Sequence, residues 1–238
     1  MPAQQPAAAT TLVVLLGASE YPHHPALSNA QFRSSAEAVR RYFEDPQGFA
    51  LPAENFLYLF DSPEPPSQQG RRIRDFLRAA GSAAPSGRAL DVIVYYIGHG
   101  SFEQNEYLLS LHDSEPDAFD TRYRFKHLHQ AIRGEARNAR KYFILDSCFS
   151  GAALGQMMGE AAAARLVINE VREGAKDDEK FKGTALLCAA SSQSTASAPE
   201  DAQYTMFSGA FLEALHSGGG RPEQTVAAPV PRSRVRTH

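Results

Sequence analysis

Apolar residues in this chain fall into two kinds of run. Thr11-Leu-Val-Val-Leu-Leu16, closed by Gly17, and Asp91-Val-Ile-Val-Tyr-Tyr-Ile97 are continuous, the pattern of strands covered on both faces. Asn55 to Phe60, Tyr142 to Leu145 and Thr184 to Ala190 read as strands in the same way. Between them apolar residues recur at helical spacing: Ala36, Val39 and Phe43; Ile73, Phe76, Leu77 and Ala80; Phe125, Leu128 and Ile132; Phe207, Phe211 and Leu215. Ser34-Ser-Ala-Glu37 offers a capping box with Ser34 as N-cap of the first helix. Gly81, Gly134 and Gly218 stand where the second, third and last helices should stop. Ser62-Pro-Glu-Pro-Pro66 reads as a loop, since consecutive prolines neither donate to a ladder nor continue a helix. After His99 the pattern predicts a polar loop, a short apolar piece from Tyr107 to Leu111 and an acidic loop from Asp113 to Asp120. Strands alternating with helices predict an α/β fold, a three-layer sandwich around a mostly parallel central sheet.

In such sheets functional groups gather beyond the carboxyl ends of the strands. Two strands end there in chemically pointed residues. One runs into Gly98-His99-Gly100, the other into Asp146-Ser-Cys-Phe-Ser-Gly151. The thiolate is the attacking form of cysteine, and an imidazole can take the thiol proton and return it to a leaving amine. A tetrahedral intermediate needs donors, which backbone amides in tight turns supply; Gly100 and Cys148 are the candidates. A lone cysteine is more often a small buried hydrophobe. Cys188, mid-strand between Leu187 and Ala189, fits that description, whereas Cys148 stands in a turn of small and polar residues. His23 and His24 lie in a proline-rich loop, and His127 and His129, two apart on a helix, point to different faces and make a poor metal pair.

Composition narrows the class. The 238 residues are 43% hydrophobic and 21% charged, enough for one sizeable domain with tails. A net charge of −3 argues against nucleic acid as a partner. With two cysteines a disulfide framework is excluded and a reducing compartment expected. The opening Met-Pro-Ala-Gln-Gln has no basic segment of a signal peptide, and no apolar run is long enough to span a membrane. These features point to a cytoplasmic protein.

His-Gly at one strand end, with Asp-Ser-Cys-Phe-Ser-Gly 49 residues later, resembles the caspase and metacaspase superfamily of cysteine peptidases. A histidine about 50 residues upstream of the cysteine is itself a known caspase spacing. Asp146-Ser147-Cys148 departs from the animal caspase form and is closer to metacaspases, with Phe149 where they usually carry His. The resemblance covers roughly residues 10–216. It implies a caspase-like peptidase domain over 10–217, after a flexible leader at 1–9. It also implies a Cys148–His99 dyad acting on protein or peptide substrates. In metacaspase relatives the aspartate two before the cysteine lines the pocket for a basic P1 side chain, and Asp146 matches that position. The usual second acidic pocket residue is not evident in Phe32-Arg-Ser-Ser-Ala36, where Arg33 instead suits an acidic P1 as in animal caspases.

Relatives are often zymogens cut between a large and a small portion. The corresponding linker is 152–182, with Arg165, Arg172, Lys176, Lys180 and Lys182 as cleavage candidates, either by the enzyme itself or by an activating protease or partner chain. A helix plus exposed loop is the plain alternative for that segment. Some metacaspases use calcium, but Asp177-Asp-Glu179 lacks the alternating ligand spacing of a calcium loop; no cofactor is expected. The basic 218–238 reads as a flexible tail or the start of a missing portion. Three functions follow: a cysteine endopeptidase in a signalling or defence cascade, a non-catalytic caspase-like scaffold, and an unrelated flavodoxin-like binding domain. The last is weakened by the lack of a glycine-rich phosphate loop.

Overall fold

In a computed structural model, the described residues are 6–83, 90–104, 106–115, 117–147, 184–189 and 202–217. In chain order the elements are β1 (Thr11–Gly17), α1 (Ala30–Glu44), β2 (Phe56–Phe60), α2 (Pro66–Ala83), β3 (Asp91–Ile97), β4 (Gly100–Glu103), β5 (Glu106–Leu109), β6 (Tyr123–Arg124), α3 (Phe125–Glu135), β7 (Arg140–Asp146), β8 (Thr184–Cys188) and α4 (Met206–His216). Five strands form one sheet in the order β2-β1-β3-β7-β8. Every pairing in it is parallel.

The continuous apolar runs are explained by this placement. All seven residues of β1 and of β3 are buried, because successive side chains point to opposite faces and both faces are covered. Val13, Leu15, Ile93 and Tyr95 face Phe32, Ala36, Val39 and Phe43 of α1 and Leu212 of α4. Leu12, Val14, Val92 and Val94 face Ile73 and Leu77 of α2 and Leu128 and Ile132 of α3. Helices on both faces make the three layers that the alternation of strands and helices predicts.

The residues after His99 are not the polar loop expected. They form β4, which pairs antiparallel with β5, and β5 pairs antiparallel with β6. Phe102 and Tyr107 of this small sheet join the core under α2 and α3, their rings 5.4 Å apart. Gly100 to Glu103 alternates buried and half-buried over only four residues, too few for periodicity to register against a loop.

Two helix starts also differ from the pattern. Asn29, not Ser34, caps α1, its side chain accepting from the Gln31 amide at 2.8 Å. The Asn29 side chain, five residues upstream, already satisfies an orphan amide and starts the helix there, so Ser34 and Ser35 lie within the helix. α2 takes in Pro66 at its first position and continues past Gly81. A proline there lacks an N–H that would be unbonded anyway, and the Pro65 carbonyl accepts from Gln68 and Gln69. Ala8–Thr10, at the edge of the 1–9 leader, is one turn of 3-10 helix. Among the described residues no helix is long and apolar enough to cross a membrane.

Candidate active site

Because the sheet is parallel, β1, β2, β3 and β7 deliver their carboxyl ends to one edge. β1 and β3 close together there. Gly17 has φ +133°, and a Cβ on it would stand 1.9 Å from the Ile97 carbonyl oxygen; only glycine fits. His99 lies two residues past the end of β3.

Its backbone is held from three sides. Gly98 has φ +154°, and a Cβ there would meet the Tyr96 hydroxyl at 2.8 Å and the Tyr21 hydroxyl at 2.9 Å. Those hydroxyls serve His99 itself. The His99 amide donates to Tyr21 Oη at 3.3 Å, and Tyr96 Oη lies 2.6 Å from the His99 carbonyl and 2.8 Å from that of Ser110. The Ser110 amide also donates to the His99 carbonyl at 2.9 Å.

The ring is aimed as firmly as the backbone. It meets Phe32 of α1 edge-on at 5.0 Å and tilts against Tyr21 at 5.3 Å. Nε2 lies 2.8 Å from the Leu27 carbonyl oxygen. A carbonyl can only accept, so the proton sits on Nε2 and Nδ1 keeps its lone pair. Burial lowers the pKa of His99 below the ordinary histidine value; the Leu27 carbonyl opposes that shift and nearby His24 adds to it. At neutral pH the imidazole is therefore an uncharged base.

β7 brings the second set of residues to the same edge. The Gly98 amide donates to the Asp146 carbonyl at 3.1 Å, and Ser147 Oγ lies 2.7 Å from the buried Tyr107 hydroxyl. Asp91 pairs with Arg140 and Ile97 with Asp146, a constant offset of 49 residues. His99 and Cys148 differ by the same 49, each two residues beyond the last pair. Cys148 itself lies outside the described residues. So do Arg165, Arg172, Lys176, Lys180 and Lys182, and the acidic Asp177 to Glu179.

Asp146 is 5% exposed. Its Oδ2 accepts from Thr205 Oγ1 and Ser208 Oγ, both at 2.5 Å. Thr205 is the N-cap of α4, accepting from the Ser208 amide, and its own amide donates to Ser35 Oγ of α1 at 3.0 Å. Ser208 also lies 3.0 Å from the Tyr95 hydroxyl. Burial pushes the Asp146 carboxyl above the usual range, against the hydroxyls, which pull it down. Among the described residues it has no cationic partner.

Arg33 is engaged elsewhere. Its guanidinium pairs with Glu20 at 2.6 Å and lies 3.5 Å from Asp61, whose carboxylate also accepts from the Ser19 amide and hydroxyl at 2.6 and 2.7 Å. It shares no partner with Asp146. Gly100 is buried at the start of β4, opposite Leu109. Cys188 is the last residue of β8 rather than mid-strand, half-buried alongside Leu145, and burial still pushes its thiol up to about 12. His127 is exposed on α3 and His129 buried, on different faces as their spacing requires. Among the described residues no group of three or more His, Cys, Asp or Glu side chains could hold a metal ion.

The Leu27 carbonyl and the hydroxyl cage of Thr205 and Ser208 escape sequence reasoning. A backbone acceptor leaves no mark in residue type, and the cage residues lie 59 and 62 positions from Asp146. Tyr21, two residues from the expected proline-rich loop, gives only the faint signal of an aromatic among small and polar neighbours.

The family model of the caspase domain, a peptidase family, matches residues 10–229. Among solved structures, the chain is similar to protein GSU0716 from Geobacter sulfurreducens, with a TM-score of 0.53 and 18% identity, covering 88% of this chain and 83% of that one; at that identity the likeness is one of fold. No curated protein matches the sequence. The family match spans both strand ends and the helices that frame them, and on that ground the chain belongs to the caspase-domain family of peptidases.

Proposed function

We propose that the chain is a cysteine endopeptidase in which Cys148 is the nucleophile and His99 its base. The observation that carries this reading is the fixed tautomer of His99. Nε2 is committed to the Leu27 carbonyl, so Nδ1 is the nitrogen that takes the thiol proton. The 49-residue offset between β3 and β7 supports the pairing, because residues equally far beyond two adjacent strand ends begin as neighbours. The thiolate adds to the scissile carbonyl, and the amides of Gly100 and Cys148 receive the developing oxyanion. His99, now protonated, gives its proton to the leaving amine. Water then attacks the acyl-enzyme with the same imidazole as base, releasing the acid and restoring the thiol.

Asp146 sets the preference for a basic P1 residue. A desolvated carboxylate with hydroxyl partners and no described cation matches an arriving guanidinium or ammonium. Arg33 is neutralised by Glu20 and Asp61, which disfavours the acidic alternative. Cleavage in 152–182, at Arg165, Arg172, Lys176, Lys180 or Lys182, converts the zymogen, and the substrates are proteins of a signalling or defence cascade.

The test is a panel of peptides differing only at P1, run with Cys148→Ala alongside. Release after Arg or Lys, abolished in the variant, is the expected result. Release after Asp alone overturns the assignment of Asp146. No turnover at any calcium concentration, or after limited proteolysis, makes the domain a non-catalytic scaffold.

A further inference from the structure

We propose that a cleft between α2, β6 and α3 binds a small phosphate-bearing anion. Its volume is about 640 Å³, within the range of small-molecule sites. Gly70 and Arg74 of α2, Arg122, Tyr123 and Arg124 around β6, and His127 of α3 line it. None of these is a partner of His99.

Two donors on the lining, the Arg74 guanidinium and the Tyr123 hydroxyl, have no partner among the described residues. Arg74 makes no hydrogen bond or ion pair with any described residue; its charge acts on Tyr123. Tyr123 is buried, yet its hydroxyl has no described partner. It lies 2.9 Å from where a Cβ on Gly70 would stand, so the glycine leaves the hydroxyl room at the cleft wall. Arg122 is 8% exposed, its Nη atoms pair with Glu103, and its buried Nε–H has no partner among the described residues. Arg124 pairs with Glu106 at 3.2 Å and stacks over Phe119 at 4.7 Å. Among the described residues of the lining, the carboxylate is that of Asp120.

Arg122 and Arg124 are paired with Glu103 and Glu106, so the guanidinium open to a ligand is that of Arg74, and beside it the Tyr123 hydroxyl is a donor in want of an acceptor. A guanidinium fork presents two parallel N–H groups. The Tyr123 hydroxyl adds a third donor to that pair, and three donors suit the oxygens of a tetrahedral oxyanion better than the two of a carboxylate. Arg74 and Tyr123 make the direct contacts, while Arg122 and Arg124, paired with Glu103 and Glu106, frame the wall. Because Arg122 also grips Glu103 of β4, the occupied cleft braces the small sheet that begins one residue after His99.

The experiment is calorimetric titration of the full chain with inorganic pyrophosphate at near-physiological salt, with citrate as the carboxylate arm. Saturable one-to-one binding is expected, weakened roughly ten- to hundredfold in Arg74→Gln. Arg74→Lys, which keeps the charge and loses the fork, should fall between the two and serves if the first variant does not fold. Cys148→Ala should bind as the wild type does, so the outcome does not depend on the peptidase reading. No saturable heat with pyrophosphate, or equal affinity in the Arg74 variants, overturns the site. Tighter binding of citrate overturns the phosphate assignment.

Discussion

Replacing Asp146 by Asn separates recognition of the substrate from support of the fold. The carboxylate is 5% exposed and held by two hydroxyls with no described cation. If a P1 arginine pairs with it, the substitution removes one partner of a buried pair, a loss of about 3–5 kcal/mol. At 1.4 kcal/mol per decade, kcat/KM for Arg and Lys peptides falls roughly 100- to several-thousand-fold. The free protein should respond in the opposite sense. An aspartate whose pKa is raised in the folded state contributes stability that is fully present below its unfolded pKa and is lost as pH rises through the folded value. At pH 7 the neutral amide is therefore at least as stable as the carboxylate, and its relative advantage grows from pH 4 to pH 7. Urea unfolding at both pH values measures the second effect, and the peptide panel measures the first. Loss of turnover on every P1 type, together with a fall of about 2 kcal/mol or more at pH 7, would show that Asp146 only buttresses the strand end.

His129 is buried beside Phe125 and Phe143, and burial pushes its pKa down to about 4. The neutral ring stabilises the fold fully above the ordinary histidine value, and about 3 kcal/mol of that is lost as pH falls from about 6.5 through 4; unfolding of His129→Leu between those limits should show a flatter profile, and an unchanged slope refutes the assignment. Gly98→Ala forces a side chain onto φ +154° against two tyrosine hydroxyls, which should cost about 2–4 kcal/mol in thermal or urea unfolding and misplace His99, lowering kcat more than it raises KM. Alkylation at pH 8 should label Cys148 and spare Cys188, whose thiol is pushed up to about 12; mass spectrometry that finds Cys188 labelled first contradicts its burial.

Much of the fold is legible because burial on both faces writes itself into residue type. The bounds of β3 coincide with the run Asp91 to Ile97, and the helices follow their apolar stripes. What escapes is short or set by competition. The four residues of β4 are too few to show a period, and the N-cap of α1 goes to Asn29 because a local Asx bond outcompetes the Ser34 box. Of the candidate site, His99 is legible through its glycines, and the structure adds why they are needed at Gly98. The Leu27 carbonyl and the cage around Asp146 are not legible, since both depend on segments brought in from distant parts of the chain.

That cage has a topological implication. Asp146, Ser147 and His99 all precede residue 152, whereas Thr205 and Ser208 follow residue 182. Severing the backbone anywhere in between leaves His99 and Cys148 on one fragment and the hydroxyl clamp of Asp146 on the other. The fragments must then remain docked through the Ser35–Thr205 and Tyr95–Ser208 contacts; under the proposed function, a cleaved chain whose small piece drifts away keeps Cys148 but forfeits the discrimination assigned to Asp146.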